Sequence, residues 1–441
     1  MNLNKRLNIS LLMTILLCGI AVQYMFISII LNDNIMLKFW KEIILLISIV
    51  GILFFKLKNN SNQEISFLEE IKHDYNIYAH LLFIILLLLS AIFMSKSISG
   101  SIYVIRLYLI PILVYYIAKY NNFTKESIVK LINIVVKFYC IISLWGVFQA
   151  LALGDDFLIN LGYPLKYAGR LRDSFYFGGF GDFQRVVSTF SNVNVFAGVI
   201  GILIIILIFN SKFFESKKIK YSALFIFSIT LLLTFSRSNW VAMGVVLLIA
   251  SIKNKKILKN SILVLVSIFI LLVIVELFTE YNIITMLKEY IFKTLTLQEG
   301  SSLGRFGIWK EGAIAFLNNP LGTGLGNVGM VSKRIFGEIH FTGESSYLAI
   351  LLDVGIQGAI CYFFVLFREF YMSLRINSEN TVVENYLKTK NYIIIYLLIL
   401  FIFSNHIYDL EIMIVTFFFI GLGSNKYFLN SFKNIDINKN N

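Results

Sequence analysis

The sequence predicts an all-α polytopic membrane protein, and its composition and charge distribution carry that prediction. Hydrophobic residues make up 58% of the 441 residues, and charged residues make up only 15%, whereas soluble domains have about 25% charged residues. The mean hydropathy is +0.77. Because no soluble core could bury so much apolar surface, the solvent around most of the chain must be lipid.

Apolar runs of spanning length predict about twelve transmembrane helices. They fall at about 9–31, 36–55, 77–95, 101–118, 131–152, 190–210, 221–236, 239–252, 261–279, 344–366, 391–405 and 408–424. The first run follows Lys5 and Arg6, as in a signal peptide. We interpret it as the first spanning helix, because it is long enough to span and no small-residue cleavage site follows it.

Short basic connections predict which end of each helix faces the cytoplasm. The connections SKFFESKKIK (211–220) and KNKKILKN (253–260) both follow even-numbered helices, and short basic loops stay in the cytoplasm. Both termini are then cytoplasmic and two long loops are extracytoplasmic. The predicted organisation is 1–152 N-terminal helices, 153–187 first external loop, 188–279 central helices, 280–343 second external loop, and 344–441 C-terminal helices and tail. The same distribution accounts for the net charge of +13 and excludes a nucleic-acid partner.

Metal and cofactor chemistry find little support in the sequence. The three cysteines lie in apolar segments without disulfide or zinc spacing, and the four histidines form no ligand pair. Residues 324–329 match G-x-G-x-x-G, but a dinucleotide site also requires a preceding strand and a βαβ unit, and neither is predicted. We interpret Asn319-Pro320 and the following glycines as a turn and expect no cofactor and no metal.

The stretch 301–358 is the strongest candidate for chemistry. It begins with a hydrophilic segment, SSLGRFGIWKEGAIAFLNNPLGTGLGNVG, and continues into a spanning helix. Long hydrophilic loops carry function disproportionately often. An amphipathic segment within it is predicted to place four residues on one face: Phe306, Trp309, Ala313 and Phe316.

Three arginines and one carboxylate converge on the predicted external face. They are Arg185, Arg237, Arg305 and Glu344. Taken singly, each arginine could snorkel to lipid headgroups and Glu344 could simply favour a helix start. Taken together, guanidinium groups suit phosphate oxygens and a carboxylate can accept a hydroxyl proton. The pattern predicts a phosphate-bearing substrate and proton abstraction outside the cytoplasm.

Several motifs in this order resemble the O-antigen ligase/polymerase superfamily. They are R-x-x-x-W from Arg305 with the NPLGTGLG turn, ESSYL…GIQG from Glu344, T-x-S-R ending at Arg237, and R-x-x-x-T-F-x-N-x-N from Arg185. Ligases have a histidine followed by asparagine where this chain has Glu344-Ser345. That departure favours a polymerase, and His340 is a lower-ranked substitute base.

The resemblance implies an inverting, metal-independent glycosyltransferase of the GT-C type in the bacterial cytoplasmic membrane. Its substrates would be undecaprenyl-pyrophosphate-linked repeat units of O-antigen or capsular polysaccharide, and a chain-length regulator is a further expected partner. Glu344 would be the base, and Arg237 and Arg305 would neutralise the pyrophosphate. The residues expected to bind substrate are Arg185, Arg170, Arg172, Trp309, Tyr347 and His340. The alternatives are an O-antigen ligase and, from another class, a lipid-linked oligosaccharide flippase.

Overall fold

The protein is a helical bundle. The computed structural model describes residues 8–31, 34–58, 69–167, 169–176, 184–210, 213–214, 216–253, 300–376 and 380–433, with single residues at 285, 288, 289 and 292. The predicted fold class is confirmed, because the described residues are predominantly α-helical and many of the helices are long and apolar.

Sixteen helices are labelled here in chain order. They are α1 (Ile9–Gln23), α2 (Ile35–Lys38), α3 (Trp40–Lys58), α4 (Tyr75–Phe93), α5 (Ile98–Tyr120), α6 (Lys125–Phe148), α7 (Gly154–Leu161), α8 (Val193–Phe209), α9 (Lys217–Leu233), α10 (Arg237–Lys253), α11 (Gly300–Asn318), α12 (Gly329–Phe336), α13 (Ser346–Arg375), α14 (Thr381–Phe403), α15 (Leu410–Leu422) and α16 (Lys426–Lys433). π-Helical turns, Tyr24–Ile30 and Gln149–Leu153, extend α1 and α6, and a hairpin of β1 (Leu165–Tyr167) and β2 (Arg170–Leu171) follows α7.

Within the described residues, six helical segments are long and apolar enough to cross a membrane. They are Ile9–Ile30, Tyr75–Phe93, Ile98–Tyr120, Lys125–Leu161, Ser346–Arg375 and Thr381–Phe403, and three shorter apolar helices accompany them. The predicted run at 261–279 lies outside the described residues, and every other predicted run overlaps a helix. The multi-pass architecture is therefore confirmed, while the count of twelve stays a prediction.

Helix starts follow local capping chemistry. The residue before each of seven helices accepts a hydrogen bond from a backbone N–H of the first turn, which satisfies a donor that has no partner within the helix. These residues are Asn8, Asp74, Ser97, Thr124, Asn192, Ser216 and Asn380. Within the bundle, α8 is buried along nearly its whole length and packs against α9, α14 and α15. α1 packs against α3 and α6, in agreement with a spanning helix.

Helix α13 is broken in its interior. Gly355 has φ +72° and ψ −177°, which lies outside the helical region. A break frees backbone groups that lipid cannot hydrogen-bond, so protein must satisfy them. The turn after α11 does so: the Ile356 N–H donates to the Pro320 carbonyl at 3.0 Å, and the Thr323 N–H donates to the Leu352 carbonyl at 2.6 Å.

The glycines of this turn permit close backbone packing. A Cβ at Gly322 (φ +104°) would lie 2.8 Å from the Gly355 nitrogen, and one at Gly324 (φ +94°) would lie 2.4 Å from the Met94 carbonyl oxygen. Residues 320–323 therefore pack against the break in α13, and Gly324, the first glycine of the G-x-G-x-x-G stretch, packs against the α4–α5 connection. This interlock fixes α11 relative to α13.

Candidate functional site

Arg305 and Glu344 form an ion pair between α11 and the residue two before α13. The distance from Arg305 Nε to Glu344 Oε2 is 3.9 Å, and the two side chains are 27% and 53% exposed. The pair joins two of the three residues predicted to be catalytic. Its partial exposure leaves both charged groups accessible to a substrate.

The register of α11 explains why Arg305 reaches Glu344. Arg305, Trp309 and Gly312 follow one helical stripe at i, i+4 and i+7. A Cβ at Gly312 would lie 3.0 Å from both the Thr342 carbonyl oxygen and Leu348 Cδ1, so the stripe lies directly on the start of α13.

The predicted apolar face of α11 is only partly covered by protein. Phe306 is 53% exposed and Ala313 is exposed, whereas Gly312 is buried. The close contact with the start of α13 is made at Gly312, next to the predicted apolar residue Ala313. Trp309 and Phe316 are half-buried, and the role predicted for this face stays a prediction.

Three consecutive side chains anchor the start of α13 to α14 and to the turn after it. Ser345 donates to the Phe401 carbonyl, Ser346 to the Ser404 carbonyl and Tyr347 to the Leu398 carbonyl, each at 2.9 Å. This is the structural role of the S-S-Y sequence that follows Glu344. The carboxylate itself stays at the surface, while the backbone that carries it is fixed. The Tyr347 hydroxyl is engaged with protein, and its predicted contact with substrate stays a prediction.

Trp309 lies at the edge of this arrangement. Its ring contacts Phe306 edge-on at 5.5 Å and lies 6.5 Å from the Phe403 ring, between centroids. The indole N–H is buried, and within the described part of the chain no hydrogen-bond acceptor faces it. A buried donor without a partner is uncommon in proteins, which keeps Trp309 a candidate for binding a substrate oxygen.

His340 is engaged mainly by its own loop. Its Nδ1 lies 2.9 Å from Ser332 Oγ, its Nε2 lies 3.5 Å from Glu338 Oε1, and its ring contacts Phe336 edge-on at 4.6 Å. The His340 side chain therefore holds the residues after α12 against Ser332 and Phe336 of that helix. Its predicted substrate contact stays a prediction.

Arg237 begins α10 directly after a tight turn and is partly exposed. Arg185 donates hydrogen bonds to that turn, from Nε to the Thr234 carbonyl at 2.7 Å and from Nη2 to the Phe235 carbonyl at 3.3 Å. Its Nη2 also donates to Asn194 Oδ1 at 3.1 Å. The two arginine motifs thus belong to one local structure.

α14 connects this structure to the Arg305–Glu344 pair. The Tyr396 hydroxyl donates to Asn239 Oδ1 at 2.5 Å, close to the carbonyls that anchor α13. Asn239, Asn194 and Tyr396 were not predicted as site residues. The asparagines of N-x-N and S-R-S-N were visible in the sequence, but their pairing across α8, α10 and α14 depends on the tertiary packing.

The segment predicted to be the first external loop (153–187) contains two of the predicted arginines. The Arg170 guanidinium lies over the Tyr176 ring, 4.8 Å from its centroid, and Arg172 is exposed. The Tyr176 hydroxyl donates to Asp155 Oδ2 at 2.6 Å. Burial and this carboxylate raise the pKa of Tyr176 to about 12, so the phenol stays neutral. The substrate contacts of Arg170 and Arg172 stay predictions.

A buried carboxylate on α13 was not singled out in the sequence. Asp353 accepts hydrogen bonds at Oδ2 from Tyr108 at 2.9 Å and from Tyr408 at 2.5 Å. An acidic residue within an apolar run is an available signal, although the tyrosines come from distant helices. In the part of the chain that the structure describes, no group of three or more His, Cys, Asp or Glu residues could hold a metal ion.

The fold and these contacts define a multi-pass membrane protein with a charged site at the start of a broken helix. A protein-family model described as O-antigen ligase matches residues 222–363. The match includes Arg237, Arg305 and Glu344. Over these residues it supports the resemblance to the O-antigen ligase/polymerase superfamily, and it points to a glycan-processing membrane enzyme. No curated protein matches the chain.

Proposed function

We propose that the protein polymerises undecaprenyl-pyrophosphate-linked oligosaccharide repeat units into O-antigen or capsular polysaccharide. The reaction takes place at the outer face of the bacterial cytoplasmic membrane, with both termini in the cytoplasm. The observation that carries the proposal is the Arg305–Glu344 pair at 3.9 Å. It sets a candidate base beside a candidate anion-binding group within the segment that matches the family.

In the proposed reaction, a hydroxyl oxygen of the incoming repeat unit attacks the anomeric carbon of the growing chain. Glu344 accepts the hydroxyl proton, the new glycosidic C–O bond forms, and the bond from the anomeric carbon to the pyrophosphate oxygen breaks with inversion. Arg305 and Arg237 stabilise the negative charge that develops on the departing undecaprenyl pyrophosphate. Guanidinium groups suit this role because they present paired donors to phosphate oxygens.

The remaining predicted residues are proposed to line the substrate path. Trp309 would offer its indole N–H and ring to a sugar, and Tyr347 and His340 flank the same loop. Arg170 and Arg172 of the first external loop would contact the glycan or its phosphates. No metal ion takes part in the proposed step.

A ligase is the second candidate, because the matched family model carries that description. A ligase would use the same donor and transfer the glycan to a different acceptor. The two activities therefore share the proposed roles of Arg237 and Arg305 and differ in the molecule whose hydroxyl approaches Glu344.

Reconstituted protein in lipid vesicles tests the proposal. Lipid-linked repeat units are supplied alone, and the assay measures glycans longer than one unit together with released undecaprenyl pyrophosphate. A polymerase forms both products without a further acceptor. Product formation that requires an added lipid or protein acceptor would establish the ligase, and transbilayer movement of substrate without bond formation would establish the flippase.

A further inference from the structure

The turn before Arg237 holds an unfavourable backbone conformation. Among the residues that the structure describes, non-glycine residues with positive φ are Ser188 (φ +57°) and Phe235 (φ +48°). An ordinary L-residue populates the left-handed conformation about 5–30-fold less than the right-handed one. Phe235 is 3% exposed and lies two residues before Arg237. Such a conformation persists only where the surroundings hold it, and it is frequent at functional sites.

Arg185 supplies the contacts that hold this turn. Its guanidinium donates to the carbonyls of Thr234 and Phe235 at 2.7 and 3.3 Å, which are the two peptide oxygens on either side of the left-handed residue. Arg185 lies near the end of the predicted first external loop (153–187) and is fixed by earlier residues of that loop: its Nη1 donates to the Ser174 carbonyl at 3.0 Å, and its backbone N–H donates to the Phe175 carbonyl at 2.8 Å. The Arg185 side chain therefore binds the turn to this loop, next to the hydrogen bond that the Val186 N–H donates to the Leu233 carbonyl at 3.1 Å.

Asn194 fixes the same turn from the other side. Its Oδ1 accepts from Arg185 Nη2 at 3.1 Å and from the Ser236 hydroxyl at 2.8 Å. Asn239 Nδ2 donates to Ser236 Oγ at 2.8 Å. Ser236, the residue before Arg237, is thereby held by two asparagines from different helices.

We propose that Arg185 is a positioning residue that sets the direction of Arg237 through the backbone of Thr234 and Phe235. Four protein acceptors engage its guanidinium group, and a guanidinium has five N–H donors in all. It therefore has little capacity left for a substrate pyrophosphate. The proposal rests on the proposed function only in giving Arg237 the pyrophosphate. The positioning role replaces the direct contact with substrate that the sequence predicted for Arg185.

A pair of substitutions separates hydrogen bonding from charge. Arg185→Gln is neutral, but its amide nitrogen is as many bonds from Cβ as Arg Nε, so it can keep the bond to the Thr234 carbonyl. Arg185→Lys keeps the charge and has a methylene at that place. Positioning predicts that the Gln variant forms polymer about tenfold faster than the Lys variant, because one well-placed hydrogen bond corresponds to roughly that factor. Direct binding of pyrophosphate predicts the opposite order. Arg334→Gln and Arg334→Lys are matched controls on an exposed external arginine and should stay near wild type.

A second measurement reads the turn without any activity. Ser238, one residue beyond Arg237, is 6% exposed. Ser238→Cys, in a chain whose native cysteines are replaced, should react slowly with a small thiol reagent. We expect the reaction to stay slow with Arg185→Gln and to accelerate about tenfold with Arg185→Lys, since loss of the bond opens the turn.

The outcomes distinguish the two proposals. Slow labelling with Arg185→Gln and fast labelling with Arg185→Lys supports the positioning role, whether or not the protein is active. If the wild-type protein forms no glycosidic bond, only the proposed function is overturned. Equal labelling of the two variants, or faster labelling of the Gln variant, overturns the positioning role whatever the activity.

Discussion

Replacing Glu344 with glutamine removes basicity but keeps the size of the side chain and most of its hydrogen bonding. Positioned proton transfer typically contributes about 10²–10⁴-fold to a rate, or about 3–5 kcal/mol of the barrier. If Glu344 accepts the proton of the attacking hydroxyl, Glu344→Gln should lower polymer formation by about that factor. Single repeat units should still reach the cell surface.

The structural cost of the same change is much smaller. The Arg305–Glu344 pair is 3.9 Å apart and half-exposed on the Glu344 side, and exposed pairs contribute about 0.2–1 kcal/mol. A carboxylate near a helix start contributes about 0.3–1 kcal/mol. The hydrogen bonds of Ser345, Ser346 and Tyr347 that anchor α13 do not involve the carboxylate, so the protein should accumulate almost normally.

Chain-length distribution and membrane protein level, measured together, separate the two effects. Glu384→Gln is the matched control, because Glu384 forms an ion pair with Lys388 in which both side chains are 47% exposed. It should cost little stability and leave polymer unchanged. Near-normal polymer from Glu344→Gln at a normal protein level would refute the role of Glu344 as base. It would move that role to His340 or to a mechanism without a protein base.

Three further predictions concern the arginines, the glycine turn and the topology. Arg237→Lys and Arg305→Lys should each lower polymer formation about 10–100-fold at a normal protein level, because an ammonium group does not reproduce paired guanidinium donors. Gly324→Ala should destabilise the purified protein by about 1–3 kcal/mol, measured by thermal unfolding, because φ is +94° and the added Cβ meets a backbone carbonyl at 2.4 Å. Single cysteines at Ser174 and Lys333, both exposed, should react with an impermeant thiol reagent in intact cells.

Each of these predictions has its own control or contrary result. Gly244→Ala introduces a Cβ with nothing within 4 Å and should leave the unfolding temperature unchanged or slightly raised. Arg334→Lys controls for the loss of any external guanidinium. Wild-type chain lengths from both lysine variants would remove the arginines from the mechanism, and labelling only after lysis would reverse the predicted sidedness.

Much of the bundle is predictable because its helices are determined by residues that are close together in the sequence. Apolar run length predicts the spans, and Asp74 or Asn192 ahead of an apolar run marks a helix start by capping. The structure pairs Arg305 with Glu344, which are two of the four charged residues predicted to converge on one face. That inference needed only sidedness and order along the chain, not three-dimensional detail.

The parts that sequence reasoning missed depend on close tertiary contact. The orientation of α11 follows from Gly312, whose lack of a side chain is invisible to apolar periodicity. The break at Gly355 is satisfied by a turn that comes more than thirty residues earlier. The contacts of Arg185 could not be inferred from the sequence. An arginine that binds backbone carbonyls cannot be distinguished there from an arginine that binds phosphate.

The interlock between the glycine turn and α13 limits how this enzyme can be recombined with its relatives. Residues 320–323 complete the hydrogen bonding of a helix that belongs to the C-terminal half of the chain. An exchange of the loop predicted at 280–343 that ends between residue 324 and residue 355 would join the turn of one protein to the broken helix of another. Segments intended to transfer acceptor preference should therefore be exchanged with residues 319–358 kept together, because backbone hydrogen bonds within that stretch join the turn to the helix.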